Sequence, residues 1–92
     1  MSTVLTKDQA LFNIAANITA TLDRKGLTQG DVARAIQEEG EELQAARMRV
    51  SRYATGKAMP DAVALARIAE ALGVTTDFLL STPPKRRGRR AG

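Results

Sequence analysis

Apolar residues recur along this chain at the three- and four-residue spacing of helices, and nowhere with the alternation of a strand. Thr6-Lys7-Asp8-Gln9 opens with a capping-box pattern, a Thr followed three residues later by a Gln. Leu11, Ile14, Ala15, Ile18 and Leu22 then form one apolar stripe. Lys25-Gly26 supplies a cationic last turn and a glycine suited to the left-handed stop. The pattern predicts a helix over residues 7–25. Thr28 and Asp31 mark a second start, with Val32, Ala33 and Ile36 as its buried side, fading at Gln37-Glu38-Glu39-Gly40. A third helix is predicted from Glu41 to Tyr53, burying Leu43, Ala46, Val50 and Tyr53, with Gly56 as its end. Asp61, after Pro60, caps a fourth that buries Leu65, Ile68, Ala69 and Leu72 and stops at Gly73. Thr75 caps a short fifth helix carrying Phe78, Leu79 and Leu80, and Pro83-Pro84 cannot continue it. The expected fold is all-α, a compact bundle of five short helices without internal repeat, over residues 6–82. A flexible N-terminus, 1–5, precedes it and a basic Pro/Arg-rich tail, 83–92, follows.

Composition narrows the chemistry. Ninety-two residues allow one small domain, and 43% apolar with 26% charged residues is ordinary for a globular one. With only three aromatics, the core has to be built from Ala, Leu, Ile and Val. There is no Cys and no His, which removes disulfides, thiolate metal sites and the Ser/His and Cys/His nucleophile pairs. No enzyme activity, metal or cofactor is expected. No apolar run approaches the roughly 20 residues of a membrane span. Met1-Ser2-Thr3-Val4-Leu5 lacks the basic and apolar regions of a signal peptide, so the expected location is the cytoplasm, at the nucleoid.

Charge is distributed unevenly. The net charge is +4, but five of the fourteen cations, Lys85, Arg86, Arg87, Arg89 and Arg90, stand in the tail, leaving nine against ten acids elsewhere. Within the body, Glu38, Glu39, Glu41 and Glu42 are four acids in five residues. Arg47, Arg49, Arg52 and Lys57 follow them directly, with no acid between 43 and 60. A basic strip on one helix plus a basic tail is the electrostatic footprint of a nucleic-acid binder, and equally of a solvated helix face with a solubilising tail.

An ordered series of short motifs separates these alternatives. Gly26-Leu27-Thr28-Gln29, Val32-Ala33, Ile36, Val50-Ser51-Arg52-Tyr53, Gly56-Lys57, Pro60, Leu65, Ile68-Ala69, Ala71-Leu72-Gly73-Val74 and Asp77-Phe78-Leu79-Leu80 resemble the Cro/lambda-repressor-like (XRE) helix-turn-helix family. The resemblance covers about residues 8–81 and implies a recognition helix ending at Tyr53. It places base contacts at Arg47, Met48 and Arg52, and phosphate contacts at Thr28, Gln29, Arg49, Thr55 and Lys57. Arg suits guanine O6 and N7, whereas Met48 either touches a thymine methyl or fills space. Val32, Ile36, Val50 and Tyr53 position the helix pair without reading DNA. The resemblance further implies a sequence-specific regulator of double-stranded DNA, a repressor of a phage, plasmid or bacterial operon. It would bind a palindrome as a homodimer, with Phe78, Leu79 and Leu80 serving either the dimer contact or the core. The alternative is an antitoxin-like interaction protein that binds a partner and regulates its own operon.

One departure stands out. About seven residues, 37–43, are inserted between the two central helices, and they carry the acidic cluster. Ala46 stands where the family places a small polar cap, so the third helix is expected to start earlier, near Glu41, where acids suit a helix N-terminus. The acids either swing into solvent or alter how the protein docks on DNA, and they are also a candidate surface for a protein partner. In the tail, Arg87-Gly88-Arg89 is similar to the core of an AT-hook, with Arg90 in place of the following proline. It acts either in a minor groove or as an arm on phosphates.

Overall fold

Four of the five helices begin on a side chain that satisfies their first turn, and the exception is the third. The computed structural model describes residues 5–83. Its helices are α1 (Lys7–Lys25), α2 (Gln29–Ile36), α3 (Leu43–Ala54), α4 (Ala62–Leu72) and α5 (Thr76–Leu80), and no strand occurs among the described residues. Thr6 and Thr28 cap α1 and α2 through reciprocal boxes with Gln9 and Asp31. The side chains of Asp61 and Thr75 accept from the N–H groups of Ala64 and Phe78. α1 and α4 end at Gly26 and Gly73, whose left-handed backbone (φ 68° and 72°) turns the N–H back onto carbonyls of the last turn. The all-α expectation is met, with helix ends close to those the pattern predicts.

The start of α3 is the correction. It begins at Leu43, not Glu41, and its N-cap, Glu42, makes no side-chain cap bond. Residues 38–41 instead close a turn, the Glu41 N–H donating to the Glu38 carbonyl at 2.9 Å. Gly40 sits there at φ +83°, a conformation other residues rarely adopt.

The core joins all five helices. Ile14, Ile18 and Leu22 come from α1, Val32, Ala33 and Ile36 from α2, and Ala46, Val50, Tyr53 and Ala54 from α3. Ala64, Ile68, Ala69 and Leu72 of α4 and Leu79 of α5 complete it. Burying each Ile, Leu or Val contributes roughly 1.5–3 kcal/mol, and the many alanines let the helices approach closely. α2 packs on α3 and α4, and α1 packs on α3 and α5, so α3 is held from two sides and keeps a third free.

α1 also buries Asn13, Asn17 and Thr21, which the apolar stripe did not predict. Asn13 Nδ2 donates to the Leu80 carbonyl at 2.9 Å. Asn17 Nδ2 reaches the carbonyls of Phe78, Leu79 and Ser81 at 2.8–3.1 Å. A five-residue helix leaves its last carbonyls without partners, and these two amides bind them. Leu79, fully enclosed beside this clamp, belongs to the core and has no surface to offer a second subunit. That corrects one of the three dimer-contact candidates; Phe78 and Leu80 remain half-exposed.

Replacing Asn17 by Ala takes the amide donor from the buried Leu79 carbonyl, and a loss of about 1–3 kcal/mol is expected in denaturant unfolding. An unchanged unfolding midpoint would mean that burial of Leu79 alone holds α5 in place.

Candidate nucleic-acid interface

The inner side of α3 is spent on Ala46, Val50, Tyr53 and Ala54, which leaves an outer row fixed by helix geometry. Gln44, Arg47, Met48, Ser51, Arg52 and Thr55 fall on that row, and all are exposed. Met48 is 54% exposed, so it does not fill core space. Gln44 and Ser51 were not singled out from the sequence. The resemblance starts its reading positions at Arg47, one turn later than the row itself begins.

At one end, this row meets the start of α2. Thr28 Oγ1 accepts from the Asp31 N–H at 3.2 Å, and Asp31 Oδ2 accepts from the Thr28 N–H at 2.9 Å. The first-turn N–H groups of Gln29 and Gly30 have no partner within the helix and are left to face outward. A β-carbon placed on Gly30 would lie 3.7 Å from Arg47 Nη2 and 3.5 Å from Thr28 Oγ1. The Arg47 guanidinium therefore stands over the N-terminus of α2, and Thr28, Gln29 and Arg47 form one donor-rich corner suited to a phosphate oxygen. Asp31 beside it stays ionised: hydrogen bonds from the Thr28 backbone and side chain, then the charge of Arg34 at 3.6 Å, hold its carboxyl below the ordinary value.

At the other end, Met48, Ser51, Arg52, Thr55 and Lys57 line one shallow depression. Gly56 at φ +76° reverses the chain, and the Lys57 N–H returns to the Arg52 carbonyl at 2.8 Å, which sets the two cations side by side. The Thr55 hydroxyl donates to the Ser51 carbonyl at 2.8 Å, so its proton is committed to the helix end.

Arg49 differs from the other cations of α3. Its Nε and Nη2 donate to the two carboxylate oxygens of Glu41 at 3.0 and 2.9 Å. Nη2 also reaches the Ile36 carbonyl, at the end of α2, at 3.0 Å. Nη1 lies 3.5 Å from the Tyr53 hydroxyl. The expectation of a phosphate contact at Arg49 is corrected on this geometry: its fork is already filled by a carboxylate and a helix end. The hydrogen bonds from Arg49, and then from the Glu38 N–H, hold the Glu41 carboxyl below its usual range, while Glu41 pushes the guanidinium up. Glu38, Glu39 and Glu42 are exposed to solvent. The tail cations Lys85, Arg86, Arg87, Arg89 and Arg90 lie outside the described residues.

An exposed helix row, buttressed from behind and flanked by the first turn of a second helix, is the arrangement of a helix-turn-helix protein. The chain belongs to the helix-turn-helix family, of XRE type: the family's model matches residues 18–79, from the middle of α1 into α5. It is a DNA-binding regulator of that type. No curated protein and no solved structure matches it. Among the described residues, no helix is long and apolar enough to cross a membrane.

Both depressed carboxyls favour the folded state once ionised. Their contribution is complete above the ordinary carboxylate range, about pH 4, and fades as pH falls through their lowered values. The melting temperature is therefore expected to hold from pH 7 to about 5 and to drop below about 4. The drop should be shallower in Glu41→Gln, measured by circular dichroism across that range.

Proposed function

We propose that this protein is a sequence-specific transcription regulator of double-stranded DNA, acting as a dimeric repressor of a phage, plasmid or bacterial operon. The observation that carries this reading is the outer row of α3, where two guanidiniums in no ion pair among the described residues flank an exposed Met48. Arg47 and Arg52 read guanine edges, and Met48 supplies an apolar surface for a thymine methyl. Gln44, one turn before Met48, extends the row with a side chain suited to adenine N6 and N7. Thr28 and Gln29 at the start of α2 and Lys57 after α3 hold phosphates and set the register. The dimer contact falls to Phe78 and Leu80, the two half-buried apolar residues of α5. Two such domains on a palindrome place their helices in successive major grooves, ~34 Å apart. The cationic tail adds phosphate contacts.

The test begins with an operator selected from random duplexes. Replacing Arg47 or Arg52 with Ala should leave melting within ~0.5 kcal/mol, as expected for exposed sites. Operator binding should weaken by roughly 1–3 kcal/mol, and random duplex should suffer less. Equal losses on both DNAs would mean that these arginines touch phosphate alone. Deleting Lys85 to Gly92 should lower affinity for every duplex and reduce the slope of log affinity against log salt, by about 0.9 per lost phosphate contact. An unchanged slope would take the tail out of the complex.

A further inference from the structure

Among the described residues there are two ion pairs. Arg34–Asp31 lies within a single helix, at 3.6 Å on exposed side chains. Arg49–Glu41 joins α3 to the segment that precedes it, on side chains 29% and 19% exposed. The pair is two-pronged, and the same guanidinium binds the last carbonyl of α2. The segment between the helices closes around it. The Glu38 N–H donates to Glu41 Oε1 at 3.0 Å, and Gln37 Nε2 donates to the Glu41 carbonyl at 2.7 Å. One side chain thus links the end of α2, the turn at 38–41 and the middle of α3.

This link stands where the start of α3 lacks a cap of its own. Glu42 gives it no cap, and the six residues between Ile36 and Leu43 are where a change of angle between the two packed helices, a pivot, would be accommodated. A pivot matters because base contacts need hydrogen-bond distances within a few tenths of an ångström. From Gln44 to Arg52 the row is about 12 Å long, and a tilt of about 10° moves its far end by about 2 Å.

We propose that Arg49 is a positioning residue of the DNA interface: by gripping Glu41 and the Ile36 carbonyl it fixes the angle between α2 and α3, and so determines which bases the outer row meets. It governs sequence choice without touching DNA. The proposal rests on the DNA-reading function above and deepens it. Arg49 and Glu41 form the lock; Arg47, Met48 and Arg52 do the reading.

The test uses the full chain, an operator selected with the wild type, and a random duplex of equal length. Glu41→Ala and Arg49→Met are each expected to lose about five-fold or more in the ratio of operator to random affinity, as for other coupled pairs. The double variant should be no worse than either single one. On random duplex, the salt slope should stay that of the wild type. Two results overturn the proposal. One is a gain in affinity for all duplexes in Glu41→Ala with a salt slope about one unit lower in Arg49→Met, which makes Arg49 a phosphate contact. The other is a preserved ratio in folded variants that merely melt earlier, which makes the link structural only. Should Arg49→Met fail to fold, Glu41→Ala decides alone, since it leaves the core intact: loss of operator preference supports the lock, and retention or a general gain overturns it. A wild type that selects no duplex at all overturns the DNA-reading function itself, a result distinct from any of these.

Discussion

Everything else in the structure depends on burying one side of α3 without using the other. A twelve-residue helix rich in Arg, with no acid in its first turn and no side-chain cap, is not stable on its own. Ala46 and Val50, both fully buried, with Tyr53 and Ala54 close behind, supply what holds it. Their partners come chiefly from α1 and α2, and those helices are themselves firmly started by Thr6 and Thr28. The strong local signals therefore lie in the platform, and the weak one lies in the helix that the platform presents. This division leaves the outer row of α3 free to vary in chemistry, because, Thr55 at the helix end apart, its side chains are not part of the core.

The same division explains what was legible in advance. Caps such as Thr28 with Asp31, and stops such as Gly26 and Gly73, act within a few residues, so they can be read along the chain. The beginning of α3 cannot. Acids near a helix start suggest a favourable dipole, yet Glu41 turns to Arg49, eight residues on, and a tertiary ion pair prevails over a local preference worth only a few tenths of a kcal/mol to about one. Asn13 and Asn17 were illegible for a related reason. A polar residue on an apolar stripe looks like a gap until the carbonyls of α5, more than sixty residues away, are brought to it.

In the candidate site, the sequence resolved the cations but not their assignments. Arg47, Arg49 and Arg52 look alike in a charge pattern, since charge carries no direction. In the structure Arg47 stands over the first turn of α2, Arg52 shares a depression with Lys57, and Arg49 faces backward into the inserted turn. Gln44 went unnoticed because the family pattern starts its reading positions at Arg47, whereas the insertion lets α3 begin a turn earlier.

An inserted acidic segment beside a DNA-reading helix poses an electrostatic problem, and its resolution takes a guanidinium in particular. A Lys at position 49 could neutralise Glu41, but a single ammonium on a flexible stem cannot hold both carboxylate oxygens and the Ile36 carbonyl in one plane. The planar fork does so, turning one acid of the insertion from a source of repulsion into part of the scaffold. Glu38, Glu39 and Glu42 stay in solvent, where salt screens them over about 8–10 Å. The arrangement occupies the fork of one of three arginines on α3, in a body whose charges nearly cancel. Attraction to DNA then has to come from where cations are concentrated: the corner of Thr28, Gln29 and Arg47, the pair Arg52 and Lys57, and the five cations of the tail. On the proposed function, Arg47 and Arg52 serve both attraction and sequence choice, and the insertion bears on the second through the angle that Arg49 and Glu41 set.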